Sequence, residues 1–237
     1  IAPLPMKKNK YNWLPDFVYG GIDGSITTFA VVAGVVGANL STPVILIMGF
    51  ANLFADGFSM AVGKYLSDKA ELDRINQIRE SEELSILEKP HEEKSEIRDI
   101  LRSFGFKGAD LNRAEKVITS KPKIWVKLML THEFNVIEEN INPVKGATAT
   151  FAAFLMVGLI PLVAYVLQPL MGWTDERLVF WATSIATLGA LFLVGTVKSR
   201  FSNRHWIITG TETAIIGGFA ASIAFFIGEI LAKMLSA

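Results

Sequence analysis

Long apolar runs dominate the hydrophobic pattern of this chain. A helix needs roughly 20 apolar residues to cross a bilayer. Five runs reach that length: residues 17–38, 43–62, 147–167, 178–197 and 206–232. Short links join the first to the second and the last three to one another. Trp13, Trp173 and Trp206 fall at span ends, the level at which aromatic belts form. Between the second and third runs the pattern turns polar and helical. The second run continues through 64–79 without a helix breaker, and Pro90 opens a new helix with Ile97, Ile100 and Leu101 as its apolar stripe. Gly105 and Gly108 then break the chain. Residues 111–118 read as a short helix and 123–139 as a longer one, and Pro143 and Gly146 mark the return to apolar sequence. The pattern predicts an all-α membrane protein of five transmembrane helices with a helical insert between spans two and three. Its parts are a tail and spans one and two (1–67), the insert (68–145) and spans three to five (146–237).

Composition sharpens this division. Hydrophobic residues make up 51% of the chain and charged residues 19%. Of 23 Asp and Glu, 16 lie in 68–145, as do 14 of 23 Lys and Arg. The formal net charge of zero is therefore an average over two unlike parts, and no nucleic-acid partner is expected from it. With no cysteine, disulfides and thiolate metal sites are excluded. Lys7, Lys8 and Lys10 precede the first run as in a signal peptide, but no small-residue cleavage site follows, so a retained first helix is expected. Basic residues also set orientation. Those three lysines and Lys198, Arg200 and Arg204 mark one side, against Arg177 and Lys233 on the other. The positive-inside rule then makes the N-terminus, the insert and the loop at 198–205 cytoplasmic.

The spans contain carboxylates, which are costly at membrane depth and usually held against a partner or a water-filled path. Asp16 and Asp23 are seven residues apart, two helical turns, and so share one face of span one with Thr27. Span two aligns Asn52, Asp56, Ser59, Met60 and Gly63 at spacings of three, four and seven. Gly20, Gly24, Gly57 and Gly63 would let these two faces approach closely. An oxygen-plus-sulfur site between spans one and two would favour softer transition metals over Mg2+ or Ca2+. The competing reading is that Asp23 and Asp56 only hold the bundle together, by bonding Ser or Thr or by one of them pairing with Lys64; Met60 in turn could be gap-filling. Glu212, near the start of span five, is a further candidate for ion handling, whereas Glu229 is close enough to the outer end to reach water.

In the insert, Glu92, Glu93, Glu96 and Asp99 crowd one helical face, with Glu82 and Glu83 on the preceding segment. Like charges at this spacing repel, and a bound cation would relieve them. Met129, His132 and Glu133 form a second constellation. Carboxylates with Met suit Fe2+ or Mn2+. The plain alternative is a solvated face balanced by Lys94, Arg98 and Arg102. No Walker phosphate loop, zinc-hydrolase helix or nucleophile elbow is present. An enzyme is not expected, nor a tightly bound cofactor, and a secondary transporter or channel is the natural class.

Two stretches carry a family resemblance: DFVYGGIDGSITTFAVVAG at 16–34 and ADGFSMAVGKYLS at 55–67. With Lys198-Ser-Arg-Phe and Gly217-Gly218, they resemble the vacuolar iron transporter family over nearly the whole chain. The resemblance implies a homodimer that exports Fe2+, and often Mn2+, from the cytosol by proton antiport. It implies a transmembrane path through Asp23 and Met60 with Asp16 at the cytosolic mouth. It also implies a metal-collecting insert with ligands at Glu82, Glu93, Glu96, Met129 and Glu133. Three positions depart from the plant pattern: Asn52 stands where a Glu is expected, Ser85 replaces another Glu, and Leu130 a second Met. Asp56, one turn from Asn52, could supply the missing charge. A passive divalent-metal channel, or a membrane-anchored metal sensor or storage scaffold, would use the same ligands. The short tail and the span-two pattern point to a prokaryotic plasma membrane.

Overall fold

A computed structural model describes residues 11–136 and 140–236. Its elements are α1 (Leu14–Gly37), α2 (Thr42–Glu88), α3 (Pro90–Ser103), α4 (Gly108–Thr119), α5 (Pro122–His132), α6 (Pro143–Gly158), α7 (Ile160–Met171), α8 (Glu176–Lys198) and α9 (Trp206–Leu235), with a 3-10 turn at Ser199–Phe201 before α9. The protein is an all-α, multi-pass membrane protein. Four continuous helices, α1, α2, α8 and α9, are long and apolar enough to cross a bilayer, and α6 with α7 makes a fifth span if the pair is counted as one.

That pair corrects the expectation of one continuous helix over 147–167. The chain bends by 43° between α6 and α7. Pro161 causes the bend: it has no N–H to bond back, and its ring crowds the preceding turn. Leu162 N–H instead reaches Leu159 O, a tighter i−3 bond. Other boundaries follow local chemistry. Pro15, Pro90, Pro122 and Pro143 stand in the first turns of α1, α3, α5 and α6, where a missing N–H costs nothing. Asn142 caps α6 by accepting from Lys145 N–H at 3.0 Å. Asp175 caps α8 by accepting from Arg177 N–H at 2.9 Å. Gly105 and Gly108 sit at φ of 93° and 53°, which separates α3 from α4. The helix expected over 123–139 ends earlier, at His132, and Asn135 turns left-handed at φ 52°. Glu138 and Glu139 lie outside the described residues.

The chain divides into two compact units, Ser67–Ile141 and a membrane unit of Asn12–Leu66 with the chain from Asn142 onward. In the membrane unit, Val32 and Val35 of α1, Ile45 of α2, Leu162 and Tyr165 of α7 and Val179 of α8 form one core. Phe29 and Ala33 of α1 pack with Ala221 of α9. The glycines of α1 serve different neighbours from those expected. A Cβ on Gly20 or Gly24 would strike the backbone of Thr150 or Phe154 on α6. Gly57 of α2 also faces α6, against Phe154 and Phe151, and Gly63 meets nothing within 4 Å. Lipid supplies no hydrophobic drive between helices, so close backbone approach at small residues is what packs α1 on α6. In the insert, Ile97 and Leu101 of α3, Leu111 of α4 and Trp125 and Met129 of α5 form a core, and Ile75, Val126, Leu130 and Val136 form a second cluster.

Candidate metal pathway and carboxylate cluster

In the membrane unit, α1 and α2 run as a hairpin through the turn at 38–41, so residues equally far from that turn lie at one level. Asp16 and Lys64 meet this condition and form an ion pair at 3.2 Å, with the Asp side chain 13% exposed. Asp16 therefore does not stand alone at the end of α1. It is charge-balanced by Lys64 of α2, a partner that the bundle-holding reading assigns to Asp23 or Asp56 instead. Asp23 lies two turns further along α1, about 10 Å deeper at 1.5 Å per residue. Its level on α2 is that of Asp56, and the two carboxylates are near enough to act on one another electrostatically. Asp23 is half-buried and Asp56 exposed, and Met60 is half-buried one turn further along α2. The backbone carbonyl of Asp23 accepts from Thr27 Oγ1 at 2.9 Å, which leaves the Asp23 carboxylate uninvolved in that bond.

Glu212 faces Arg204 at 3.6 Å, and Glu229 accepts from Lys233 at 2.6 Å, one turn away on its own helix. Both acids are locally balanced. Sequence reasoning passed over a set of hydroxyls: Ser25 and Thr28 on α1, Thr150 on α6 and Thr183 on α8 are buried, with no hydrogen-bond partner among the described residues. The signal for them was present as Ser and Thr at small-residue positions inside apolar runs. The Asn52 amide nitrogen is likewise buried and unpartnered.

The insert brings together acids from three helices. Glu82 comes from the latter part of α2, Glu93 and Glu96 from α3, and Glu133 from the residue that ends α5. Glu82 and Glu93 are 5% and 7% exposed, and one oxygen of each is buried without a partner. Burial, then the charges of Glu93, Glu133 and Glu96, pushes the Glu82 carboxyl up to about 7. Burial, then Glu96 and Glu92, raises Glu93 against a smaller opposing effect of Lys89. Burial, Glu96 and Glu93 raise Glu133, which also shares a hydrogen bond with Glu96. Glu96 and Glu133 are exposed, so the cluster has a wet side. Among the described residues no three His, Asp or Glu side chains already stand in a ligating arrangement. The four acids repel one another rather than enclose a ready cage.

The structure splits the acidic stripe expected on α3. Glu93 turns inward, whereas Glu92 pairs with Lys89 at 3.4 Å and Asp99 with Arg102 at 2.6 Å on the exposed surface. Met129 is fully buried in the apolar core beside Ile97 and Trp125. His132 packs edge-on against Phe104.

The sequence matches the VIT family over residues 14–229. It is similar to proteins named "Vacuolar iron transporter" from Toxoplasma gondii, at 31% identity over 98% of this chain and 80% of the relative, and from Plasmodium falciparum, at 32% over 94% and 84%. "Vacuolar iron transporter 2" of Oryza sativa subsp. japonica is 32% identical over 89% of this chain and 84% of its own. The vacuolar names of these relatives lend no support to a prokaryotic plasma membrane.

Proposed function

The chain belongs to the VIT family, and from that premise we propose that it exports Fe2+, and Mn2+ alongside it, from the cytosol in exchange for protons. It acts as a transporter rather than an enzyme. The observation that carries this reading is the convergence of Glu82, Glu93, Glu96 and Glu133 in the insert. Glu82, Glu93 and Glu133 are expensive to ionise there, and a divalent cation removes that cost. Metal and protons therefore compete for the same oxygens. Oxygen-rich ligation, with Met129 one turn before Glu133 on α5 as a soft ligand, suits Fe2+ and Mn2+ among divalent ions.

Metal collected on the insert passes to the membrane unit at the Asp16–Lys64 pair. The ion then moves about 10 Å inward to Asp23 and Asp56, where two carboxylates at one level balance its two charges. Met60 adds a soft ligand. Protons entering from the opposite side neutralise Asp23 and Asp56 and free the ion outward. In lipid the exposed Asp56 carboxylate of α2 would be unfavourable, whereas exposed Phe54 and Phe58 would not. A second copy packed there would line a shared path, which supports a homodimer.

The test is Fe2+ and Mn2+ flux in proteoliposomes with an imposed pH gradient. Wild-type flux should follow the gradient, and Asp23→Asn should abolish it while leaving metal binding by the insert intact. Flux indifferent to the gradient would make the protein a passive channel. Undiminished flux in Asp23→Asn would remove the assigned path, and metal binding without flux would leave a sensor or storage scaffold.

A further inference from the structure

Two stretches of the insert carry opposite charge, and residues 128–145 add three Glu against one Lys. Residues 68–99 hold eleven Asp or Glu against six Lys or Arg, a net of −5. Residues 102–127 hold seven Lys or Arg against two acids, a net of +5. The first stretch contains Glu82, Glu93 and Glu96. The second contains α4 and most of α5, and one of its two acids, Glu115, is held by Arg98 of α3. The polarity runs along α3 itself, since Glu93 and Phe104 are separated by about 16 Å of helix.

An open groove of about 700 Å3 lies on the basic half, lined by Leu101, Phe104, Phe106, Lys107, Arg113 and Val117 among others. Its apolar members are not tucked away. Phe104, Phe106 and Val117 are 52%, 39% and 57% exposed, and Ile124 nearby in sequence is 47% exposed. Lys121 and Lys123 precede Ile124, both exposed. Aromatic and branched side chains set among lysines and arginines match a surface that is anionic outside and apolar beneath. That is the chemistry of a bilayer face containing anionic lipid.

We propose that this groove and its basic rim dock on the anionic inner face of the bilayer in which the protein is anchored. Charge complementarity selects an acidic surface. Connectivity then selects the bilayer over a soluble acidic protein, because α2 leads into the insert and α6 follows it, so that both ends are tethered to membrane spans. Such a tether keeps the bilayer at high effective concentration, whereas a soluble partner would have to be recruited. Docking holds the basic half at the headgroups and leaves the carboxylate half free for cytosolic cations. It does not depend on which ion is carried or on proton coupling.

The chain has no cysteine, so a single introduced thiol can be labelled in the full-length protein. Val117→Cys carrying an environment-sensitive fluorophore is placed in nanodiscs of phosphatidylcholine alone, or with roughly a third phosphatidylserine. In the anionic discs the emission should shift to the blue and be quenched by lipid-borne spin labels. In neutral discs, or in high salt, it should do neither. A label at exposed Ser81, on the acidic half, should stay aqueous throughout. Lys107→Glu with Arg113→Glu should abolish the response at 117 while Mn2+ binding persists. Ile124→Cys gives a second reporter should Val117→Cys misfold. A label that remains aqueous in anionic discs overturns the proposal, including where only an added acidic protein protects it. Insertion that is indifferent to lipid charge or to the charge reversal overturns it as well.

Discussion

Glu82→Gln tests whether the insert's acids are held under mutual repulsion. Glu82 is raised to about 7 from an ordinary 4.5. Its folded-state value lies above its unfolded one, so the folded protein binds the proton more tightly. The associated stability is fully present below about pH 4.5 and is lost as pH rises through 7. A shift of that size is worth about 3 kcal/mol at 1.36 kcal/mol per unit, of which about 2.5 falls between pH 5 and 8. The exposed Glu96 and Glu133 beside it admit water, so screening makes these figures upper bounds. Glu93 and Glu133 shift in the same direction and add to the same trend. Hydrogen exchange on the intact protein in detergent reads this as opening of the segment around Ile97 and Leu101. Without metal, protection there should fall on going from pH 5 to pH 8, once intrinsic exchange is corrected, by up to roughly 60-fold. Glu82→Gln should flatten most of that fall and be the more stable protein at pH 8. Adding Mn2+ at pH 8 should restore protection in the wild type and much less in the variant. If wild type and variant lose protection equally, Glu82 is not a strained acid and the competition between metal and proton at this cluster fails.

Two further substitutions probe packing against chemistry. Met129→Leu keeps the core volume and should change unfolding free energy by less than about 1.5 kcal/mol. By calorimetry it should weaken Fe2+ binding more than Mn2+ binding, because the thioether is the soft ligand; equal effects on both ions would assign Met129 to packing alone. Gly24→Ala places a Cβ 2.5 Å from the Phe154 carbonyl oxygen, where backbone cannot yield. It should lower thermal stability by the equivalent of about 1–3 kcal/mol. Gly63→Ala, which meets nothing within 4 Å, should be neutral or gain up to about 1 kcal/mol from helix propensity. Equal melting temperatures for the two variants would contradict the close α1–α6 contact.

The membrane helices were legible in the sequence because bilayer thickness imposes a length that few other structures need. The start of α3 was legible as well, since proline at the first helical turn has one mechanical meaning. The bend between α6 and α7 was signalled by Pro161 but masked by unbroken hydrophobicity, a measure blind to a missing N–H. The end of α5 was misjudged because amphipathic spacing continued past His132 while the backbone turned.

For the sites, the family resemblance singled out Glu82, Glu93, Glu96, Met129 and Glu133 in the insert, while spacing grouped Asp16 with Asp23, Asp56 with Met60, and Glu92 with Glu93, Glu96 and Asp99. Helical periodicity can do this because it relates residues on one helix. It cannot relate residues on different helices. Only tertiary structure paired Asp16 with Lys64, set Asp23 level with Asp56, turned Gly20 and Gly24 toward α6 instead of α2, and separated inward Glu93 from the surface pairs of Glu92 and Asp99. Each of these depends on which helix lies opposite. Close backbone approach and the burial of charge settle that choice across the whole bundle, and no single stretch of sequence contains it.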